Sequence, residues 1–295
     1  MDLRVPVQLA ATCLEMPERA AWLERLPRVI DDLAARWSIT LGAPYEEASC
    51  AWVAPALLAD GRRSFAGRSD GGRAVLKLGM PHLEGEHELD GLRFWDGDPT
   101  VRLLAADADN NAMLLERCEP GTPLRALSEP EQDVVIAGLL RRLWRTPSAP
   151  HPFRPLSTMT REWSRVAMGA PGYRADEEVV REGVRLFEEL PLTSTEAVLL
   201  ATDLHAGNVL RARREPWLVI DPKPFLGDPA YDATQHLLNC MSRLRSDPLG
   251  MIHRFADLLG VDSERVRLWM FARLAVEPRD RWLADDWSAL LRALH

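Results

Sequence analysis

Residues 197–221 limit the possible folds of this chain more than any other segment. They hold two short apolar runs, Val198-Leu199-Leu200 and Trp217-Leu218-Val219-Ile220, inside a half of the sequence that otherwise reads as helix. Each run is followed by polar residues at the point where a strand would end. The first leads into Asp203-Leu204-His205-Ala206-Gly207-Asn208, and the second into Asp221, thirteen residues beyond Asn208. Paired as a hairpin, the two strands would bring Asp203, Asn208 and Asp221 to the same end of one small sheet. Such a trio suits phosphoryl transfer. One carboxylate orients an attacking hydroxyl and takes its proton, and the remaining oxygen ligands hold a divalent cation on the phosphates.

The rest of the chain is strand-rich before this segment and helical around it. Trp22, Leu23, Leu26, Ile30, Leu33 and Trp37 recur at helical spacing within the first 40 residues, and Pro27 should split or kink that helix. Residues 48–58 read as a strand entering a turn at Asp60-Gly61. A loop rich in Gly, Arg, Ser and Asp (residues 61–72) leads into the apolar strand Ala74-Val75-Leu76-Lys77-Leu78. A helix over 84–95 carries Glu84, Glu86 and Glu88, and a second hairpin joins 101–105 to 112–116. Helices dominate from there, starting with 129–145, and Pro147, Pro150, Pro152 and Pro155 form a connector. The pattern predicts an α+β fold of two lobes meeting near residue 117, with a cleft between a β-rich lobe (1–117) and a mainly helical one (118–295).

Composition narrows the partners. A formal net charge of −8 argues against a nucleic-acid partner and favours a cationic ligand. No apolar stretch approaches the roughly 20 residues of a membrane helix. Met1-Asp2-Leu3-Arg4 lacks the basic and apolar regions of a signal peptide. Cys13, Cys50, Cys118 and Cys240 form neither a CxxC pair nor a zinc pattern, as expected of thiols in a reducing cytoplasm. Of 36 basic residues only Lys77 and Lys223 are lysines. Unless that is chance, they mark places where a compact ammonium does what a planar guanidinium cannot.

In protein kinases the catalytic loop sets Asp and Asn five residues apart, and a metal-binding Asp follows on the next hairpin. Asp203, Asn208 and Asp221 fit that spacing. The sequence resembles the aminoglycoside phosphotransferase group of the protein-kinase-like fold, whose loop reads roughly H-G-D-x-H-x-x-N. More narrowly, it resembles the streptomycin 6-phosphotransferase and hydroxyurea phosphotransferase family. The residues that carry this resemblance are Trp217-Leu218-Val219-Ile220-Asp221-Pro222-Lys223-Pro224 and Gly227-Asp228-Pro229-Ala230-Tyr231-Asp232. Phe94-Trp95-Asp96-Gly97-Asp98, Val101-Arg102-Leu103-Leu104 and Leu115-Glu116-Arg117 before Pro120-Gly121-Thr122-Pro123-Leu124 extend it over residues 48–240.

The resemblance implies an ATP- and Mg2+-dependent kinase with Asp203 as catalytic base and Asn208 and Asp221 as magnesium ligands. It implies that Lys77 binds the α- and β-phosphates and pairs with a helix glutamate, for which Glu88 fits better than Glu86. Glu116 to Cys118 would be the hinge whose backbone meets adenine, and Asp232 would brace the catalytic loop. Lys223, two residues past Asp221, could also face the phosphates. The implied acceptor is a streptomycin-type aminoglycoside, whose guanidinium groups call for carboxylates in the pocket. Asp228, Glu277 and Asp280, with Asp285 and Asp286, are candidates by charge and position.

Two features depart from the family pattern. Ala201-Thr202 replaces the usual His-Gly, and Ser49-Cys50-Ala51-Trp52 stands where a glycine-rich loop would lie. The first motivates a rival reading, a nucleotide-binding pseudokinase with a scaffolding role. A metabolic kinase for another alcohol or amino alcohol is the second rival. A metallohydrolase built on His205 is a third, lacking another histidine near by in sequence. The expected protein is a cytoplasmic monomer.

Overall fold

The computed structural model describes residues 4–59, 72–169, 177–277 and 284–295. The insertion at 61–72 therefore lies, Gly72 apart, outside the described residues, as does Asp280. The chain divides into two compact units, residues 1–121 with 212–218, and residues 122–211 with 219–295.

The first unit opens with helices α1 (Val7–Cys13) and α2 (Pro17–Trp37). Pro17 needs no N–H partner at the start of α2. Trp22, Leu26, Ile30 and Leu33 form its buried stripe, and Ser38 ends it in the left-handed conformation. The helix runs unbroken through Pro27 rather than splitting there. The stripe packs on an antiparallel sheet of β1 (Ile39–Leu41), β2 (Ala51–Leu58), β3 (Arg73–Gly79), β4 (Leu103–Asp107) and β5 (Ala112–Glu116), in the order β1-β2-β3-β5-β4. Between β3 and β4 lies α3 (Glu88–Trp95). It starts four residues later than the sequence pattern suggests, because residues 83–87 form turns. Residues 212–218 join this unit through Arg214, whose guanidinium donates to Glu116 and to the carbonyls of Gly97 and Thr100.

The second unit begins with α4 (Glu129–Leu143), capped by reciprocal bonds between Ser128 and Glu131. Helices α5 (Leu156–Gly169) and α6 (Glu177–Glu189) precede β6 (Val198–Leu200), β7 (Val209–Arg211) and β9 (Phe225–Gly227), while the intervening β8 (Trp217–Val219) has its first two residues in the first unit. The remaining helices are α7 (Pro229–Asn239), α8 (Met241–Ser246), α9 (Pro248–Leu259), α10 (Ser263–Val276) and α11 (Ala284–Leu294). Phe187, Tyr231 and Trp269 meet edge-on or tilted in the core of this unit.

Strand pairing is the main departure from the sequence expectation. β6 pairs with β9, Leu199 opposite Leu226, and not with the run at 217–220. Three-residue strands carry too little alternation to specify register. The backbone between them decides. Asp221 takes a left-handed conformation (φ 54°), the Lys223 N–H donates to the Ala201 carbonyl, and the chain returns along β6.

A buried polar joint ties α4, α7 and α8 together. Asp133, His236 and Cys240 place ligand atoms within 4.8 Å of one another. The Arg243 guanidinium lies 2.7 Å from Asp133 Oδ2, so the carboxylate already has its cation. Despite burial, His236 and Arg243 hold the Asp133 carboxyl below its usual range.

Candidate active site

The site residues of the first unit sit on regular elements. Lys77 lies in the middle of β3, opposite Val53 on β2 and Met113 on β5. Its side chain is almost wholly buried, and Nζ stands 2.5 Å from Oε1 of Glu88, the first residue of α3. Glu84 and Glu86 precede the helix. At the end of β5, the Glu116 carboxylate accepts from Arg214 and from the Arg102 N–H, while the Glu116 N–H donates to the Arg102 carbonyl. Glu116 is thus committed to holding the chain. The Cys118 thiol is pushed up to about 12, first by burial and then by the Glu116 charge.

In the second unit the site is built from irregular backbone. Beyond β6 the Ala201 and Thr202 N–H groups donate to the two oxygens of Asp232, at 3.0 and 2.8 Å. The Trp144 indole N–H donates to the same carboxylate at 3.0 Å. Burial pushes Asp232 up to about 6, against the stabilisation that Trp144, Ala201 and Thr202 give its charge. Thr202 holds a left-handed conformation (φ 49°), and its hydroxyl donates to the Lys223 carbonyl at 2.6 Å. The position where the family has glycine thus keeps a glycine-type backbone. Asp203 follows. The Asn208 side-chain amide donates to the Asp203 carbonyl at 3.0 Å, and Gln235 Nε2 donates to Asp203 Oδ1 at 2.7 Å. His205 Nδ1 accepts from the Gly207 N–H at 3.1 Å, and burial lowers its pKa, so it holds the loop as a neutral ring. The Ile220 N–H donates to the Asn208 carbonyl, which sets Asp221 beside the loop. Lys223 Nζ lies 2.5 Å from Asp221 Oδ1.

This geometry suits a hard cation. Because the Asn208 NH2 group is used on the Asp203 carbonyl, its Oδ1 is turned away as a free-standing oxygen donor. The Asp221 carboxylate, one-third exposed, supplies the second oxygen group. Asn208 and Asp221 would therefore hold magnesium if it binds.

The acceptor candidates are placed differently. Asp228 is buried and caps α7. Its Oδ1 accepts from the Ala230 N–H, and its Oδ2 from Arg265 and the Trp269 indole. Glu277 pairs with Arg273 at 2.9 Å. The side chains of Asp285 and Asp286 lie outside the described residues, with Asp280. Sequence reasoning missed Gln235. Its signal was its place one turn beyond Asp232, on the same face of α7.

The two units, a five-stranded antiparallel sheet with three helices and a helical unit carrying the Asp203 loop, define the protein-kinase-like fold. Solved structures agree. A choline kinase of Streptococcus pneumoniae superposes with a TM-score of 0.58 at 12% identity, over 92% of this chain and 99% of that one. An aminoglycoside phosphotransferase solved with ADP and hygromycin B gives 0.56 at 14% identity, over 89% and 97%. Residues 56–285 match the family described as aminoglycoside/hydroxyurea antibiotic resistance kinase, and the chain belongs to that family. It is 34% identical to a streptomycin 6-kinase of Streptomyces glaucescens, over 98% of this chain and 94% of the relative. It is 32% identical to a hydroxyurea phosphotransferase of Kitasatospora aureofaciens, over 98% and 83%. The chain is a phosphotransferase of kinase type with a hydroxyl group as acceptor, and ATP use follows from that class. Among the described residues no helix is long and apolar enough to cross a membrane.

Proposed function

We propose that this kinase transfers the γ-phosphoryl group of ATP to a hydroxyl of a streptomycin-type aminoglycoside and so inactivates the antibiotic. The observation that carries this reading is the grouping of Asp203, Asn208 and Asp221 around one loop, with the Asp203 backbone and side chain both tied in place. Asp203 is the base that orients the acceptor hydroxyl and takes its proton. Asn208 and Asp221 hold Mg2+, which when bound neutralises charge on the transferring phosphates. Lys77, aimed by Glu88, binds the α- and β-phosphates. With the Glu116 N–H already engaged, adenine recognition passes to the backbone at Cys118. Asp232 braces the loop, and Lys223 adds a second ammonium beside Asp221. Residues 1–117 then form the nucleotide-binding lobe, and 118–295 carry the catalytic loop and the acceptor pocket. A net charge of −8 favours a cationic acceptor, and the same reading has the enzyme acting as a cytoplasmic monomer.

The test is magnesium-dependent ATP turnover against a panel of streptomycin, hydroxyurea, choline and simple sugars, with Asp203→Asn as control. Turnover should appear with streptomycin and fall by about 10²–10⁴-fold in the variant. Turnover with a sugar or amino alcohol but never with streptomycin would sink the antibiotic assignment. ATP binding with no difference from Asp203→Asn on every acceptor would make the protein a pseudokinase.

A further inference from the structure

We propose that Gln235 and Arg273 form a relay that fixes the orientation of the Asp203 carboxylate toward the acceptor hydroxyl. The inference rests on the reading of Asp203 as the base. It adds Gln235 as a positioning residue and Arg273 as the group that forces the orientation of Gln235.

The chemistry of the contacts sets the direction of each bond. Arg273 Nη2 donates to Gln235 Oε1 at 3.0 Å. A guanidinium can only donate, so the amide must turn its oxygen toward Arg273 and its NH2 group toward Asp203. Gln235 Nε2 then donates to Asp203 Oδ1 at 2.7 Å, a short contact of the kind made to an ionised acceptor. That bond fixes the rotation of the Asp203 carboxylate on the loop.

Arg273 itself cannot swing away. Its side chain is buried, with Nε donating to Glu277 at 2.9 Å and Nη1 to the Tyr231 hydroxyl at 2.8 Å. The guanidinium carbon lies 4.5 Å from the Trp163 ring centroid, within stacking range. A buried guanidinium is costly to place unless its donors are satisfied, and here every nitrogen has a partner. This also gives Glu277 a role distinct from the acceptor contact suggested by its charge, as the anchor at the far end of the relay.

The arrangement divides the work along α7. Asp232 holds the backbone that enters the catalytic loop, and Gln235, one turn on, holds the side chain that the loop carries. A loop entered through a left-handed Thr202 has little regular structure of its own to fix a rotamer, and the helix supplies it from outside. Near-attack geometry is sensitive to such placement, since an error of about 1 Å can cost ~10²-fold in rate.

The experiment uses the full chain with MgATP and streptomycin. Gln235→Met keeps the side-chain length and removes both hydrogen bonds. Gln235→Glu keeps an acceptor for Arg273 and removes the N–H that faces Asp203. Both should lower kcat by about 10- to 100-fold while KM for ATP and for streptomycin stays within about twofold, and Gln235→Glu, which keeps the acceptor for Arg273, should also retain Tm. A merely structural joint between α7 and α10 would instead lower Tm and leave kcat per folded molecule intact, and that outcome overturns the relay. So does a kcat within about twofold of wild type in both variants, provided Asp203→Asn is inactive. If Asp203→Asn is itself as active as wild type, the reading of the base fails first. If streptomycin is not turned over at all, the side-chain amide NMR signal of Gln235 decides. It should move in Asp203→Asn, and an unmoved signal refutes the contact.

Discussion

The two lysines of this chain sit on opposite kinds of backbone. Lys77 occupies the centre of a regular strand, held in register on both sides, and its partner Glu88 opens a helix and is 2% exposed. Lys223 lies in a turn between a left-handed Asp221 and β9, and its partner is one-third exposed. The first pair is fixed by secondary structure and the second by individual hydrogen bonds to the neighbouring loop. The same ion-pair chemistry should therefore have different consequences when it is cut. In the first unit it is bound up with folding, and in the second chiefly with turnover.

The largest effect should come from Lys77→Met. It leaves Glu88 buried without a cation, which costs about 3–5 kcal/mol by urea denaturation. Lys77→Met combined with Glu88→Leu should recover most of that stability and none of the activity. If the single variant is as stable as wild type, the contrast between the two pairs breaks down.

Next in size is a pH effect at Asp232. In the unfolded chain it titrates near ~3.9, and in the folded protein at about 6. Between those values the folded state holds more protons, so stability falls as pH rises. The stability given by the protonated group is present below about pH 4 and lost as pH climbs through 6, roughly 3 kcal/mol in all. Asp232→Asn carries no such titration. The difference in unfolding free energy between wild type and variant should change by roughly 2 kcal/mol of that between pH 4 and pH 6.5, and a constant difference would show that Asp232 is not buried as described.

Lys223 follows. Replacing this buried lysine with Met should cost less stability than Lys77→Met, because the carboxylate left behind is one-third exposed and can be hydrated. It should lower kcat/KM for ATP roughly tenfold, the loss of one charge-assisted contact. An unchanged ATP KM and kcat would reduce Lys223 to a counter-ion of Asp221.

The same contrast explains what could be read from the sequence. Lys77, the core stripe of α2 and the strands β2, β3 and β5 follow from periodicity, because regular elements repeat. The trio Asp203, Asn208 and Asp221 was legible through spacing and family resemblance. The β6–β9 pairing was not, since three-residue strands do not encode a register. Nor was the start of α3 at Glu88, because residues 83–87 fit a helical pattern and form turns. Arg273 was hidden in the run Trp269-Met270-Phe271-Ala272-Arg273-Leu274-Ala275-Val276, where only a buried charge among apolar residues hinted at a function.

The smallest effect tests the irregular region most directly. Thr202 stands where the family has glycine, and it keeps φ at 49°, a conformation that β-branched residues rarely hold. Such a residue carries about 1–3 kcal/mol of strain, and the surroundings must over-determine it. Two contacts do so here, the N–H to Asp232 and the hydroxyl to the Lys223 carbonyl. Thr202→Ala keeps the strained backbone and loses the hydroxyl. Thr202→Gly loses the hydroxyl and also the strain. On ordinary backbone alanine is the more stable of the two by about 0.5–1 kcal/mol. At residue 202 the order should invert, with the glycine variant more stable by about 1 kcal/mol. Both variants keep the N–H that Asp232 holds, so a shared loss of kcat would trace to the missing bond to Lys223. Alanine proving the more stable variant would mean that the loop is not strained at this position.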